Sequence, residues 1–338
     1  MPKVSRSFAL AIRLLPSPLG DQMMISYLIY RIIDTIEDSN LDAPRKKELF
    51  DAYTGILRGG EYCEQKTLLV RRQLIDCLTY SYESSLLESL EKVSRAYYSQ
   101  PPLVRKSILR WGRVMAQGMY EFQKKQIRTF ADQDAYSYYV AGVVGYLFND
   151  LLYHNKIITQ EAKKRLHVHA KRFGLALQKV NILRDVASDV PSQRYYWPKD
   201  ILARHGLDYD TLLDGKNRQK AMSALNEEIE NALEYLYSGM QYIVSLPKNA
   251  LKVRMFCIIP LFMAIESYVK CINNNDVFDS QKKVKITRAQ VHEIVAKSTL
   301  WGTSNEKLVR WFVKSMKKAS PKVEGEYAPL LLKVQKAA

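Results

Sequence analysis

Apolar positions recur at helical spacing along almost the whole chain, and the alternation expected of strands is scarce. The pattern predicts a short apolar segment over 5–15, broken by Pro16 and Pro18, and a first long helix over about 19–39. Leu41-Asp42-Ala43-Pro44 is a helix-start signal for a segment running to about Leu57, where Gly59-Gly60 ends it. Further helices are predicted over about 66–80, 83–98, 102–127, 132–154 and 159–187. A polar loop, 188–196, follows, and beyond Trp197-Pro198 come a short helix and a turn near Gly206. Two long helices, about 216–244 and 247–273, lead to a break at 273–276, and the last helices span about 288–301 and 304–318. The expectation is an all-α chain, 1–338, forming one large helical domain with a basic C-terminal region from about 279.

Two of these helices carry acidic pairs inside apolar sequence. In the first, Tyr27, Arg31, Asp34 and Asp38 fall at i, i+4, i+7 and i+11, one continuous stripe. In the second, Asn181, Asp185 and Asp189 do the same. A single Asp-x-x-x-Asp on a helix is ordinarily a solvated face. Here the surrounding residues, Leu28, Ile29, Ile32 and Ile33 in one case and Val180, Ile182 and Leu183 in the other, leave little polar surface for such a face. The arrangement also occurs twice, each time with an arginine next to or one turn from the first aspartate, and charges on a buried helix need partners or metal. Two carboxylate pairs facing each other would make a hard-oxygen cage of the kind that holds Mg²⁺ together with a substrate's phosphates. Arg6, Arg31, Arg184 and Arg194 lie in or beside these stretches, and guanidinium groups match phosphate oxygens in a bidentate fork. The pattern points to ionisation of an allylic diphosphate.

Between the two stretches, Ala141, Gly142 and Gly145 form a small-residue patch that permits close helix approach or room for a ligand. Tyr136 and Tyr139 lie one turn apart; among 22 tyrosines each is ordinarily packing, although a hydroxyl can relay a proton and a ring face can stabilise a cation. His167 and His169, two apart, point to different helix faces and make no metal set. No Gly-rich phosphate loop or dinucleotide fingerprint is present.

Composition adjusts this picture modestly. With 47% hydrophobic residues the 338-residue chain can bury a large core. No segment reaches the roughly 18 apolar residues of a membrane span, and the N-terminus lacks a signal-peptide run. The four cysteines have neither metal spacing nor disulfide-scaffold density, which suggests reduced core residues in a cytoplasmic protein. The net charge of +16 suits anionic membrane surfaces or phosphorylated substrates, and no nucleic-acid recognition signature accompanies it. Over 305–318, Leu308, Trp311, Phe312 and Met316 share one face and lysines and Arg310 take the rest. That fits either a surface-lying membrane helix or a core-facing helix with a basic outer face, and the second reading is preferred.

These motifs resemble those of the squalene/phytoene synthase family, and within it the squalene synthase branch most closely, from Ser5 to about Ala289. Ser5-Arg6-Ser7-Phe8 resembles the family's substrate-binding start, Tyr27 to Asp38 its first aspartate-rich motif, and Tyr136 to Gly145 its central tyrosine motif. Gln178 to Asp185 resembles the second aspartate motif, and Arg194-Tyr-Tyr-Trp-Pro198 the segment after it. Phe256 to Pro260, with Met263 to Ile265 and Asn273-Asn274, is similar to squalene synthases rather than phytoene synthases.

The resemblance implies an all-α isoprenoid-synthase fold with a central cavity and head-to-head joining of two farnesyl diphosphates, through presqualene diphosphate, to squalene with NADPH. Alternatives are a synthase that stops at the cyclopropyl diphosphate, one that makes a dehydrosqualene- or phytoene-type product without reduction, or an inactive scaffold relative. It implies Mg²⁺, with Mn²⁺ as substitute, on Asp34, Glu37, Asp38, Asp185 and Asp189. Substrate would lie against Arg6, Ser7, Phe8, Arg31, Gln178, Asn181, Arg184 and Arg194, with Tyr136, Tyr27, Arg31, Asp34 and Asp185 in catalytic roles. NADPH would use Arg6, Arg31, Arg184, Lys285 and Arg288. Two departures stand out: Ser188 replaces a usual glutamate, and Lys285-Ile-Thr-Arg-Ala289 has threonine and alanine where squalene synthases usually have arginine and glycine. Without the C-terminal anchor of eukaryotic enzymes, the chain resembles a bacterial form, a monomer or weak oligomer, cytoplasmic and touching the inner membrane face through its basic C-terminal region.

Overall fold

The computed structural model describes residues 6–77 and 81–319. Within them every regular element is helical: α1 (Arg6–Ile12), α2 (Leu19–Asp38), α3 (Ala43–Arg58), α4 (Glu64–Cys77), α5 (Ser81–Glu88) and α6 (Leu90–Tyr98) open the chain. Next come α7 (Pro102–Phe122), α8 (Phe130–Ser137), a π-helical turn (Tyr138–Gly142), α9 (Val143–His154) and α10 (Gln160–Arg184). The chain continues through α11 (Val186–Asp189), α12 (Lys199–Arg204), α13 (Arg218–Ser245), α14 (Leu251–Cys271), α15 (Arg288–Trp301) and α16 (Asn305–Ala319). Among the described residues no helix is long and apolar enough to cross a membrane.

Local chemistry sets several boundaries. Asp42 caps α3 by accepting from the Arg45 N–H at 2.9 Å, with Pro44 in the first turn. Thr129 and Asp132 form a reciprocal capping box that starts α8 earlier than the apolar pattern suggested. Where tertiary contacts intervene, the helices depart from the periodicity. The segment expected to run to 127 stops at Phe122, because 127–128 leave to receive the main-chain N–H groups of Lys199 and Asp200 on Ile127 and Arg128 at 3.1 and 3.0 Å. The helix expected over 83–98 is split at Ser89 into α5 and α6.

The helix expected over 132–154 contains the π turn. Here the π turn and α9 are both nearly in backbone contact with α10: a Cβ on Gly145 would overlap the Ala170 carbonyl, and one on Gly174 the Ala141 carbonyl. An extra residue in one turn is a common device at ligand sites, and this one lies directly after the helix that carries Tyr136.

Isoleucines 29, 32, 33 and 36 of α2 are fully buried, as are Ala176, Leu183 and Ile182 of α10 at no more than 2% exposure, so both acidic helices are core elements. Helix α16 settles the choice left open for 305–318. Leu308, Phe312 and Met316 are completely buried, and Trp311 stacks on Phe262 of α14 with centroids 3.4 Å apart. Its apolar face is part of the protein's own core, which removes the basis for reading this helix as lipid-facing. Cys257 and Cys271 are buried core thiols as expected, whereas Cys63 is only half-buried.

Candidate active site

Helix α2 delivers Tyr27, Arg31, Asp34, Glu37 and Asp38, and the α10–α11 junction delivers Asn181, Arg184, Asp185 and Asp189. The second stripe is bent. Helix α10 ends at Arg184, Asp185 is its C-cap, and α11 carries Asp189, with the Asp189 N–H still donating to the Asp185 carbonyl at 2.9 Å. Ser188 Oγ also donates to that carbonyl, at 2.8 Å, so this side chain serves the backbone.

The two stretches meet through Arg194. Its Nη1 donates to Asp38 Oδ1 at 2.9 Å, and its Nε lies 3.5 Å from Asp189 Oδ1. The flanking carboxylates have their own cations. Arg31 pairs with Asp34, and Arg184 grips Asp185 with two nitrogens at 2.9 and 2.7 Å while its Nη2 reaches Asn181 Oδ1 at 3.3 Å. Arg194 thus joins Asp38 of the first stretch to Asp189 of the second, and the Arg31–Asp34 and Arg184–Asp185 pairs flank that bridge.

Burial first, and neighbouring carboxylates after it, move two of these carboxyl groups off their ordinary ranges. Burial pushes the Asp189 carboxyl up to about 7, helped by Asp185 and Asp38 and opposed by Arg194. Burial, then Asp34 and Asp38, hold the Glu37 carboxyl well above its usual range. Glu37 is only 8% exposed and accepts a hydrogen bond from the Tyr136 hydroxyl at 3.2 Å. Tyr136 in turn stacks on Tyr196, centroids 4.7 Å apart, and meets the Phe122 ring edge-on at 5.4 Å. Burial keeps both tyrosine hydroxyls protonated far above neutrality.

Of these residues, Arg31, Glu37, Asp38, Phe122, Tyr136, Arg194 and Tyr196 line a cleft of about 1450 Å³, whereas Asp34, Arg184, Asp185 and Asp189 are not part of its wall. At the other end of the α2 stripe, Tyr27 packs on Phe8 at 5.7 Å, Phe8 on Phe256 at 5.5 Å, and Phe256 on Phe148 at 4.6 Å. Tyr27 and Asp38 are eleven helical steps apart, about 16 Å of rise. One helix thus runs from an aromatic wall to a charged one, which suits an amphiphile with a phosphorylated head.

Among the described residues no three acidic, histidine or cysteine side chains form a ready-made metal cluster. The donor chemistry nevertheless fits Mg²⁺, which keeps several waters and is held through one or two carboxylates plus substrate phosphates rather than by an all-protein cage. Of the other sequence candidates, Gln178 is half-buried and Asn181 exposed. Lys285 and Arg288 are exposed and lie outside the cleft wall, and Thr287, the departure between them, caps α15 in a box with Gln290. The side chains of Arg6 and Ser7 lie outside the described residues.

Sequence reasoning missed Lys46. Its ammonium is buried and donates to the Glu37 carbonyl at 2.6 Å and to Gln123 Oε1 at 2.9 Å, tying α3 to the end of α2. The available signal was register: Lys46 lies three, four and seven residues before the buried Leu49, Phe50 and Tyr53.

Comparison with known proteins decides the family. The family model described as squalene/phytoene synthase matches residues 1–290. The chain belongs to the squalene/phytoene synthase family. It is 32% identical over 284 residues to squalene synthase from Dictyostelium discoideum, covering 84% of this chain and 65% of that one. It is also 32% identical over 287 residues to squalene synthase from Solanum lycopersicum, covering 84% and 66%. The chain thus spans just under two thirds of the length of these relatives. The solved structure of TcSQS with the ligand E5700 superposes with a TM-score of 0.84 at 27% identity, over 99% of this chain and 96% of that one. This squalene/phytoene synthase family member therefore has the all-α isoprenoid-synthase fold.

Proposed function

We propose that this chain joins two prenyl diphosphates head to head, with farnesyl diphosphate as substrate, presqualene diphosphate as intermediate and squalene as the NADPH-reduced product. The observation that carries the reading is Arg194 drawing the two acidic stretches together beside Tyr136, at the polar end of a helix whose other end is aromatic.

Arg31, Arg184 and Arg194 exchange their carboxylate partners for diphosphate oxygens, which frees Asp34, Asp38, Asp185 and Asp189, with Glu37 beside them, to hold Mg²⁺ or Mn²⁺. When bound, the metal supplies positive charge against the departing diphosphate and so lowers the barrier to ionisation. The faces of Phe122, Tyr136 and Tyr196 stabilise the allylic cation and exclude water. The second substrate's double bond attacks that cation. The pair of a C–H bond then closes the cyclopropane ring, its proton passing to the Tyr136 oxygen as Tyr136 gives its own to Glu37. NADPH would be held through the exposed cations Lys285 and Arg288 and would supply the hydride that meets the cation left when the second diphosphate departs.

Thr287 favours a second reading. Its side chain is committed to capping α15, which leaves a smaller basic set for a reductant and suits an enzyme that ends without reduction. Product analysis from farnesyl and geranylgeranyl diphosphates, with and without NADPH, separates the two. A reduced C30 hydrocarbon that requires NADPH is expected; a conjugated triene formed in its absence would establish the non-reductive synthase instead. Metal-dependent diphosphate release that disappears in Asp34→Ala excludes an inactive scaffold.

A further inference from the structure

A second polar cluster lies beneath the tyrosine pair, and the reaction outlined above leaves it unused. Gln133, Lys179 and Glu228 are exposed by 0, 2 and 2%, on α8, α10 and α13. All three directions of the Lys179 ammonium are occupied, by Gln133 Oε1 at 2.6 Å, Asn231 Oδ1 at 2.6 Å and Asp134 Oδ1 at 2.7 Å. An ammonium only donates, so it forces the Gln133 oxygen toward itself and the Gln133 NH₂ the other way. That NH₂ donates to both oxygens of Glu228, at 3.1 and 3.0 Å, and to the main-chain carbonyl of Tyr196 at 3.1 Å. Gln133 also precedes Tyr136 by three residues on the same helix. A buried carboxylate beside a lysine already matched by Asp134 is expensive to maintain, and here its partner is an amide aimed at the backbone of Tyr196.

We propose that Gln133 and Glu228 are positioning residues for the Tyr136–Tyr196 pair: Glu228 fixes the Gln133 amide, and that amide holds the Tyr196 carbonyl so that the Tyr196 ring stays stacked on Tyr136. The catalytic consequence rests on the proposed prenyl diphosphate chemistry; the structural claim does not.

The test places 3-fluorotyrosine at position 196, with a second label at Tyr153 as control, in the full chain. Gln133→Met/Glu228→Met removes the amide and the carboxylate that fixes it, and it also takes one acceptor from Lys179 and the donor from the Tyr196 carbonyl, so retention of the fold is checked first by circular dichroism. The ¹⁹F resonance at 196 should move or broaden while that at 153 stays in place. The maximal rate of diphosphate release from farnesyl diphosphate should fall roughly tenfold or more with KM within about twofold. Glu228→Gln retains an oxygen facing Gln133 and should keep the wild-type resonance and rate. If the double variant does not fold, Gln133→Asn, whose amide arm is one methylene shorter, is read the same way. An unmoved resonance at 196, or one displaced as far by Glu228→Gln, overturns the proposal. A wild-type chain that releases no diphosphate overturns the functional reading instead, and the ¹⁹F shifts still decide the positioning claim.

Discussion

Arg194 is the residue on which the two acidic stretches depend. Its planar fork reaches Asp38 and Asp189 with different nitrogens, a spread that the one-nitrogen head of a lysine does not reproduce even though it can donate to several acceptors. Arg194→Lys should therefore lower diphosphate release on the order of 10²-fold. Its partners are part-exposed, so the melting temperature should hardly change; a large loss of stability with an intact rate would show that the bridge is structural. Asp185→Asn keeps the shape of a side chain held by Arg184 but removes its charge, and should abolish turnover in a protein with an unchanged helical circular dichroism spectrum. Full activity in that variant would misplace the proposed metal site. Aspartate spacing and the nearby arginines are legible from residue types alone. The Arg194 bridge is not, because its partner Asp38 lies 156 residues away.

Helix pairs make their own predictions. The α9–α10 crossing is close enough that Gly145→Ala would press a methyl group into the Ala170 carbonyl. Such overpacking costs about 1–3 kcal/mol, to be read from urea unfolding, and any catalytic loss should follow from displacement of the Tyr136 segment. The small-residue patch Ala141-Gly142…Gly145 signals close approach in the sequence, but the π turn inside it does not, since a 3.6-residue pattern carries no mark of one inserted residue. At α16, Phe312→Asp should unfold the C-terminal helices, because Phe312 is completely buried. A variant that kept its urea midpoint while losing affinity for anionic vesicles would restore the membrane reading. The heptad-like stripe of 305–318 was readable; whether lipid or protein covered it depended on α13 and α14 lying alongside.

For the molecule as a whole, stability is coupled to pH through a buried acid. Burial, opposed by Gln133 and Lys179, pushes the Glu228 carboxyl from its ordinary 4.5 up to about 7. The folded protein therefore takes up this proton more readily than the unfolded chain. The contribution is fully present below about 4.5 and is lost as pH rises toward about 7. The span corresponds to on the order of 3 kcal/mol. Unfolding free energies of wild type and Glu228→Gln, measured at both ends of that window, should diverge by an amount of this order, the wild type losing more as pH rises; parallel curves would mean that Glu228 does not titrate there. Sequence by itself determined the helical class, because 3.6-residue periodicity is a local property. It also determined the two acidic stripes and their arginines, because residues one turn apart on a helix must share a face. Only the tertiary structure decided that the stripes are bridged by the Arg194 guanidinium, that Glu37 turns inward to Tyr136, and that Gln133, Lys179 and Glu228 converge. Those contacts join helices far apart in the chain, and no local pattern encodes which buried polar group will find which partner.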